Sequence, residues 1–290
     1  MSRELKEELS EAISEATARA FTVATLEPKS GGCINDAYIA SDGAGSYFVK
    51  LNAADALPMF EAEAAALKEL AAAEAVRVPR PVSCGLSAGR SYLVLEALDF
   101  GSPESGSWER MGQQLARLHR TTREQFGWHG DNTIGATPQR NDWTSDWPTF
   151  FLEQRLGPQF EMARHNGHRF DRAETLMASV AELLDGHAPE ASLLHGDLWS
   201  GNASFLEGGT PVIFDPATYY GDRETDLAFS EFFGGFPGEF YAAYENEWPL
   251  PPGYERRKVL YNLYHVLNHA NLFGGGYAGQ AEDMISQLLN

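Results

Sequence analysis

Cysteine is scarce in this chain, with only Cys33 and Cys84 in 290 residues. Two thiols give neither a disulfide framework nor a zinc cluster, and the usage fits a reducing cytoplasm. Basic residues are also in short supply, 22 against 41 acidic ones, for a formal charge of -19. So acidic a chain repels phosphate backbones and anionic lipid, which argues against nucleic-acid binding and membrane-surface docking. Long apolar runs are missing too: nothing approaches the ~20 residues of a membrane span. The N-terminal MSRELKEELSEAISEATARA lacks the apolar stretch of a secretory signal.

What is present divides the chain in two. The N-terminal segment reads as an amphipathic helix with Leu5, Leu9 and Ile13 on one face. FTVATLEP, AYIA and SYFVKLN read as strands, with the glycine turn KSGGCIND after the first. LPMFEAEAAALKELAAA is a helix, and PRPVSCGLSAGRSYLVLEAL is a strand pair turning at Ala88–Gly89, with Cys84 expected buried. From DFGSPESGS onward helical patterns dominate, interrupted by a loop-rich centre at His195–Asp222. The expected class is α+β. Residues 1–98 form a small, mostly antiparallel sheet lobe with one main helix, and 99–290 a larger, mostly helical lobe, with a hinge at about 96–100.

Five polar elements follow in order: the glycine turn, Lys50, a glutamate, LLHGDLWSGN and the aspartate of PVIFDPATYYGD. Phosphoryl transfer needs such parts, because its catalysis is mostly positioning and charge neutralisation. A glycine hairpin at Gly31, Gly32, Cys33 and Ile34 brings backbone N–H groups over phosphates without Cβ obstruction. Lys50, ending an apolar strand, suits the α- and β-phosphates as a compact cation. Glu63 is its expected ion-pair partner on the following helix, with Glu61 and Glu69 on the solvated face. Asp197 is the candidate to orient the attacking hydroxyl and accept its proton. Asn202 and Asp215 offer hard oxygen ligands suited to Mg²⁺, with ATP as the phosphoryl donor. His195 is expected to fix its loop by hydrogen bonding, and Asp226 to hold the loop's backbone amides or to stabilise a helix start.

HGDLWSGN and PVIFDPATYYGDRETDLAF resemble the fructosamine kinase (ketosamine kinase) family, relatives of aminoglycoside phosphotransferases and choline kinases. GGCINDAY, YFVKLN, MFEAEAAAL, DNTIGATPQRNDW, DWPTFF and LYHVLNHANLFGGGY extend the likeness over nearly the whole chain. The resemblance implies a two-lobed protein-kinase-like fold. It also implies ATP- and Mg²⁺-dependent phosphorylation of the 3-hydroxyl of ketosamines, whose phosphorylated adducts break down and free the amine. By motif, Asp197 becomes the base, Asn202 and Asp215 the metal ligands, and Lys50 with Glu63 the phosphate-positioning pair. Glu96, Ala97 and Leu98 match the hinge whose backbone holds adenine.

For the sugar amine, Trp199 offers a flat apolar face, and Asp131 in DNTIG is a further pocket-lining candidate. Cys33 in the glycine turn is a candidate redox switch, which makes the protein a monomer or a redox-dependent homodimer. His265 and His269 share one helical face, where packing is favoured over metal binding because no acidic or cysteine partner is apparent. Two alternatives stay open: a kinase for an aminoglycoside, choline-like or other hydroxylated amine, and a nucleotide-binding pseudokinase acting as an interaction module.

Overall fold

A computed structural model describes residues 2–29 and 34–290. The chain forms two compact units, Met1–Ser107 with Ser204–Asp215, and Trp108–Ala203 with Pro216–Asn290. Among the described residues no helix is long and apolar enough to cross a membrane.

The first unit opens with helix α1 (Arg3–Thr17), capped by Ser2, whose hydroxyl accepts the Leu5 N–H. Leu5, Leu9 and Ile13 are buried along one face. Strands β1 (Thr25–Pro28), β2 (Asp36–Ser41), β3 (Ser46–Ala53), β4 (Pro81–Ser87) and β5 (Arg90–Glu96) form an antiparallel sheet in the order β1-β2-β3-β5-β4. Helix α2 (Leu57–Ala72) connects β3 to β4.

Because strand side chains alternate, β3 has two distinct faces. Val49 and Leu51, opposite Val94 and Tyr92 of β5, join Leu5, Leu9 and Ile13 in one buried cluster. Lys50 between them points to the other face, where α2 lies. β4 is the sheet edge, and this corrects the reading of Cys84: it is partly exposed and free, because an edge strand is covered less well. Glu69 is likewise half-buried rather than solvated, while Glu61 is exposed.

A second, three-stranded sheet completes this unit from β6 (Phe100–Gly101), β11 (Ala203–Leu206) and β12 (Pro211–Ile213). Phe205 pairs Gly101, Leu206 pairs Phe100, and Val212 bridges Arg77. These pairings draw residues 99–107 and 204–215 into the first unit, although the sequence reading gives them to the helical lobe.

The second unit carries α3 (Ser107–His119), β7 (Thr122–Arg123), the hairpin β8 (Asn132–Ile134) and β9 (Thr137–Gln139), and α4 (Trp147–Phe150). A π-helical turn at Phe151–Leu156 leads into α5 (Gly157–His165), followed by α6 (Ala173–Leu183) and β10 (Ala191–Leu193). After β11 and β12 come β13 (Tyr220–Gly221), α7 (Glu224–Ser230), α8 (Gly238–Glu247), α9 (Tyr254–Phe273) and α10 (Tyr277–Leu288). The small sheet β13-β10-β7 frames the start of the LLHGDLWSGN loop. Helix α9 forms much of the core, with Leu260, Leu263, Val266 and Leu267 buried.

Candidate active site

In the first unit, Lys50 Nζ donates to Glu63 Oε1 and Asp215 Oδ1, both at 2.7 Å. The lysine side chain is 7% exposed, Glu63 11% and Asp215 45%. Burial alone pushes the ammonium pKa down, but the charges of Asp215 and Glu63 outweigh it and hold Lys50 protonated. Glu63 is shifted upward by burial and by the neighbouring Asp215 charge, with Lys50 opposing. Asp215 sits at φ 57°, in the left-handed region that non-glycine residues seldom occupy. Such local strain persists where the surrounding structure over-determines it.

Glu96, Ala97 and Leu98, expected from the sequence to form a hinge, belong to this unit. Glu96 ends β5, its N–H donates to Arg80 O at 2.9 Å, and its carboxylate receives Arg77. Ala97 and Leu98 follow, half-buried. Ile34 O accepts from Asn52 Nδ2 at 3.4 Å, which fastens Ile34 to β3. Gly31, Gly32 and Cys33 lie outside the described residues.

The second unit presents Asp197 and Asn202. Asn202 Nδ2 donates to the Asp197 carbonyl at 2.8 Å and to its Oδ2 at 2.9 Å. With its NH₂ committed, Asn202 has its amide oxygen as the atom suited to a cation. The Asp197 N–H donates to His195 Nδ1 at 3.2 Å, and His195 is fully buried. The imidazole therefore acts on its own loop. Gly196 stands at φ 82°, and a Cβ there would lie 2.0 Å from the Ala217 carbonyl oxygen. Ala217 in turn donates its N–H to His195 O at 2.9 Å. The loop and the segment following Asp215 thus meet backbone to backbone.

Asp226 on α7 anchors this arrangement. Its Oδ2 accepts the His195 N–H at 2.7 Å and its Oδ1 the Gly196 N–H at 2.8 Å. Buried His119, at the end of α3, lies 3.2 Å from Oδ2 through Nε2 and 2.8 Å from the Tyr244 hydroxyl through Nδ1. Burial pushes the Asp226 carboxyl up, but His119, His195 and the Gly196 amide together hold it below the usual range. The His119 contribution is absent from the sequence reading. Its only trace there is a polar residue at the end of an otherwise apolar helical face.

Trp199 is half-buried, with its ring over Gly201 and edge-to-face against Phe233 at 5.5 Å. Asp131 is exposed, and its Oδ1 accepts the Asn141 N–H at 2.9 Å, so it braces its own hairpin. His265 stacks on Phe229 at 3.6 Å between ring centroids, a packing arrangement rather than a metal pair. Among the described residues, ligand atoms of His187, Asp222 and Glu224 lie within 4.8 Å of one another. Arg257 already pairs with Glu224, and Tyr261 and His187 both bond Asp222 Oδ2, which makes this a closed structural network.

Asn202 in the second unit and Asp215 in the first each carry a hard oxygen donor, an amide oxygen and a carboxylate, of the type that suits Mg²⁺.

The fructosamine kinase family model matches residues 5–290. A Synechocystis protein named a probable ketoamine kinase is 53% identical over 282 residues, covering 97% of this chain and 96% of its own length. The chloroplastic protein-ribulosamine 3-kinase of Arabidopsis thaliana is 42% identical over 277 residues, covering 93% and 84%. A crystal structure from Haemophilus somnus 129PT, named as a fructosamine-3-kinase, superposes with a TM-score of 0.94 at 32% identity over 99% of both chains. Solved aminoglycoside phosphotransferase and choline kinase structures, at 19% and 14% identity, share the protein-kinase-like fold. By its motifs, its fold and likeness over nearly its full length, the chain belongs to the fructosamine kinase family.

Proposed function

We propose that this chain is an ATP-dependent kinase that phosphorylates the 3-hydroxyl of ketosamines. Family membership over the whole chain supports the acceptor class. The observation that carries the phosphoryl chemistry is buried Lys50, held between Glu63 and Asp215 at 2.7 Å from each. An ammonium so fixed is a ready counter-charge for a nucleotide's phosphates.

In this reading Asp197 orients the sugar hydroxyl and takes its proton as the new O–P bond forms and the bond to ADP breaks. Asn202 keeps the Asp197 carboxylate turned to one orientation through its amide N–H. Asn202 Oδ1 and the Asp215 carboxylate would hold Mg²⁺, which supplies charge neutralisation of the phosphates when bound. Asp226 fixes the catalytic loop through the His195 and Gly196 amides. Trp199 gives the sugar an apolar face. The backbone at Glu96–Leu98 meets adenine, and the 3-phosphorylated product then decomposes to release the amine, a deglycation. Cys33 is a redox switch in this reading, and full activity after peroxide would remove that role.

Steady-state ADP release with Mg²⁺ over fructosyl-, ribulosyl- and erythrulosyl-lysine, beside an aminoglycoside and a choline panel, tests the assignment. Turnover confined to ketosamines supports it. Turnover on either control panel, or none on any ketosamine, refutes it.

A further inference from the structure

A buried polar relay occupies the second unit beside the segment that follows Asp215 in the chain. Arg155, fully buried in the π-helical turn, donates from Nη2 to Asn141 Oδ1 at 2.7 Å. Asn141 Nδ2 donates to Asn132 Oδ1 at 2.9 Å, and Asn132 Nδ2 donates to Thr218 O at 2.8 Å. Gln139 Nε2 donates to Asn132 Oδ1 at 2.8 Å and to Ala217 O at 3.1 Å, while its Oε1 accepts the Tyr264 hydroxyl at 2.7 Å. None of the five side-chain partners is more than 8% exposed. The Arg155 guanidinium also lies 3.9 Å from the Tyr219 ring centroid and 4.7 Å from that of Phe150.

The direction of these bonds is forced. A guanidinium can only donate, so the Asn141 oxygen must face it and the Asn141 NH₂ must face away. That NH₂ requires the Asn132 oxygen, which turns the Asn132 NH₂ onto the Thr218 carbonyl. Each amide could otherwise flip, and a flipped Asn132 would set oxygen against oxygen in a dry interior, at the full cost of an unsatisfied group. Ala217, held by Gln139, is also the residue that abuts Gly196 and donates to His195 O.

We infer that Arg155, Asn141, Asn132 and Gln139 are positioning residues. Their one-way relay fixes residues 217–219 against the catalytic loop and so sets the chain just beyond Asp215. The inference rests on the proposed kinase reading, since it gives the relay a reaction to serve. It also explains a buried cation whose hydrogen-bond partners are carbonyl and amide oxygens rather than a carboxylate. In the interior such a charge is retained at a cost.

The test uses the full-length protein. Asn132→Asp keeps the shape and reverses one arrow, so an oxygen meets Thr218 O. Expected are faster amide hydrogen exchange over 193–203 and 216–220 only, and kcat lower by on the order of ten- to a hundredfold with KM for ATP within about twofold. Arg155→Lys, which still only donates, is expected to keep kcat within about fivefold, whereas Arg155→Gln, which can also accept, falls with Asn132→Asp. Equal losses in Arg155→Lys and Arg155→Gln, or unchanged exchange over 216–220 in folded Asn132→Asp, overturn the relay. Should Asn132→Asp not fold, Tyr264→Phe decides, because it frees Gln139 without adding charge: faster exchange over 216–220 supports the relay and unchanged exchange overturns it. Wild-type enzyme inactive on every ketosamine would sink the kinase reading instead, and the exchange measurements would still judge the relay.

Discussion

Lys50 Nζ and Asp215 Oδ1 are held 2.7 Å apart although 165 positions separate them in the chain. The same ammonium binds Glu63 at 2.7 Å. Replacing Lys50 by Met leaves two carboxylates facing each other without a counter-charge. The expected result is a fall in kcat on the order of a hundredfold or more, with weaker ATP binding, read from steady-state kinetics at varied ATP. Glu63→Gln keeps a hydrogen bond and removes one charge, so its loss should be about tenfold at most. Equal losses in the two variants would deny Lys50 any separate part.

Asp197 can be isolated from nucleotide binding. Asp197→Asn keeps a similar shape but cannot take a proton at neutral pH. Turnover should fall on the order of a thousandfold, while calorimetric affinity for Mg²⁺–ATP stays within about threefold. Retained turnover would remove its role as base.

At Gly196 two demands coincide, φ of 82° and a Cβ position 2.0 Å from Ala217 O. Gly196→Ala should therefore cost about 4 kcal/mol or more in urea unfolding. Gly186→Ala serves as the comparison: its φ is 74° with nothing within 4 Å, so only the backbone conformation is penalised. About 1 kcal/mol is expected there. Similar costs at both sites would show that the Ala217 contact gives way easily.

Burial pushes His265 down to about 3, helped by His269 and Arg155 and opposed by Asp226. Its folded pKa lies below its unfolded value of about 6.5. The stabilisation from keeping it neutral is thus complete above pH 6.5 and drains away as pH falls toward 3. Each pH unit in that window should remove about 1.4 kcal/mol. Urea midpoints between pH 7.5 and 5 should show a shallower slope in His265→Phe than in wild type. An identical slope would mean that the imidazole titrates alike in the folded and unfolded chain.

Asp226 carries the same sign at lower pH, since its folded pKa is held below the ordinary carboxylate value. Its contribution is present above about pH 4 and lost as pH falls through the depressed value. Asp226→Asn should destabilise by about 3 kcal/mol at pH 7, with the gap to wild type closing below about pH 4. A gap constant down to pH 3 would show that charge is not what holds the His195 and Gly196 amides.

The sequence was most legible where one period decided the outcome. Alternation along SYFVKLN put Lys50 opposite Val49 and Leu51, and helical spacing put Leu5, Leu9 and Ile13 under one surface. Glu63 was chosen over its helix neighbours as the partner of Lys50, a choice the periods alone left open, and it does meet the ammonium. Cys84 and Glu69 were misjudged because burial depends on which strand is the edge and what covers a helix end, and neither is a local property. The Asn132–Gln139–Asn141 relay was invisible for a related reason. Its strands are too short to show a period, and its partners Arg155, Tyr264 and Ala217 come from distant segments. Residues 204–215 escaped the sheet lobe in the sequence reading because β6, the strand that recruits them, has only two residues.

Strand β3 lends its two faces to different tasks, and a remote vulnerability follows. Val49 and Leu51 are sealed by the first helix, whose own contribution is Leu5, Leu9 and Ile13. Trimming that helix, or crowding it with a fused tag, would unseat the strand from behind and slacken the ammonium on its opposite side. The first helix, which supplies none of the side chains bonded to Lys50, thereby becomes a handle on how that lysine is held.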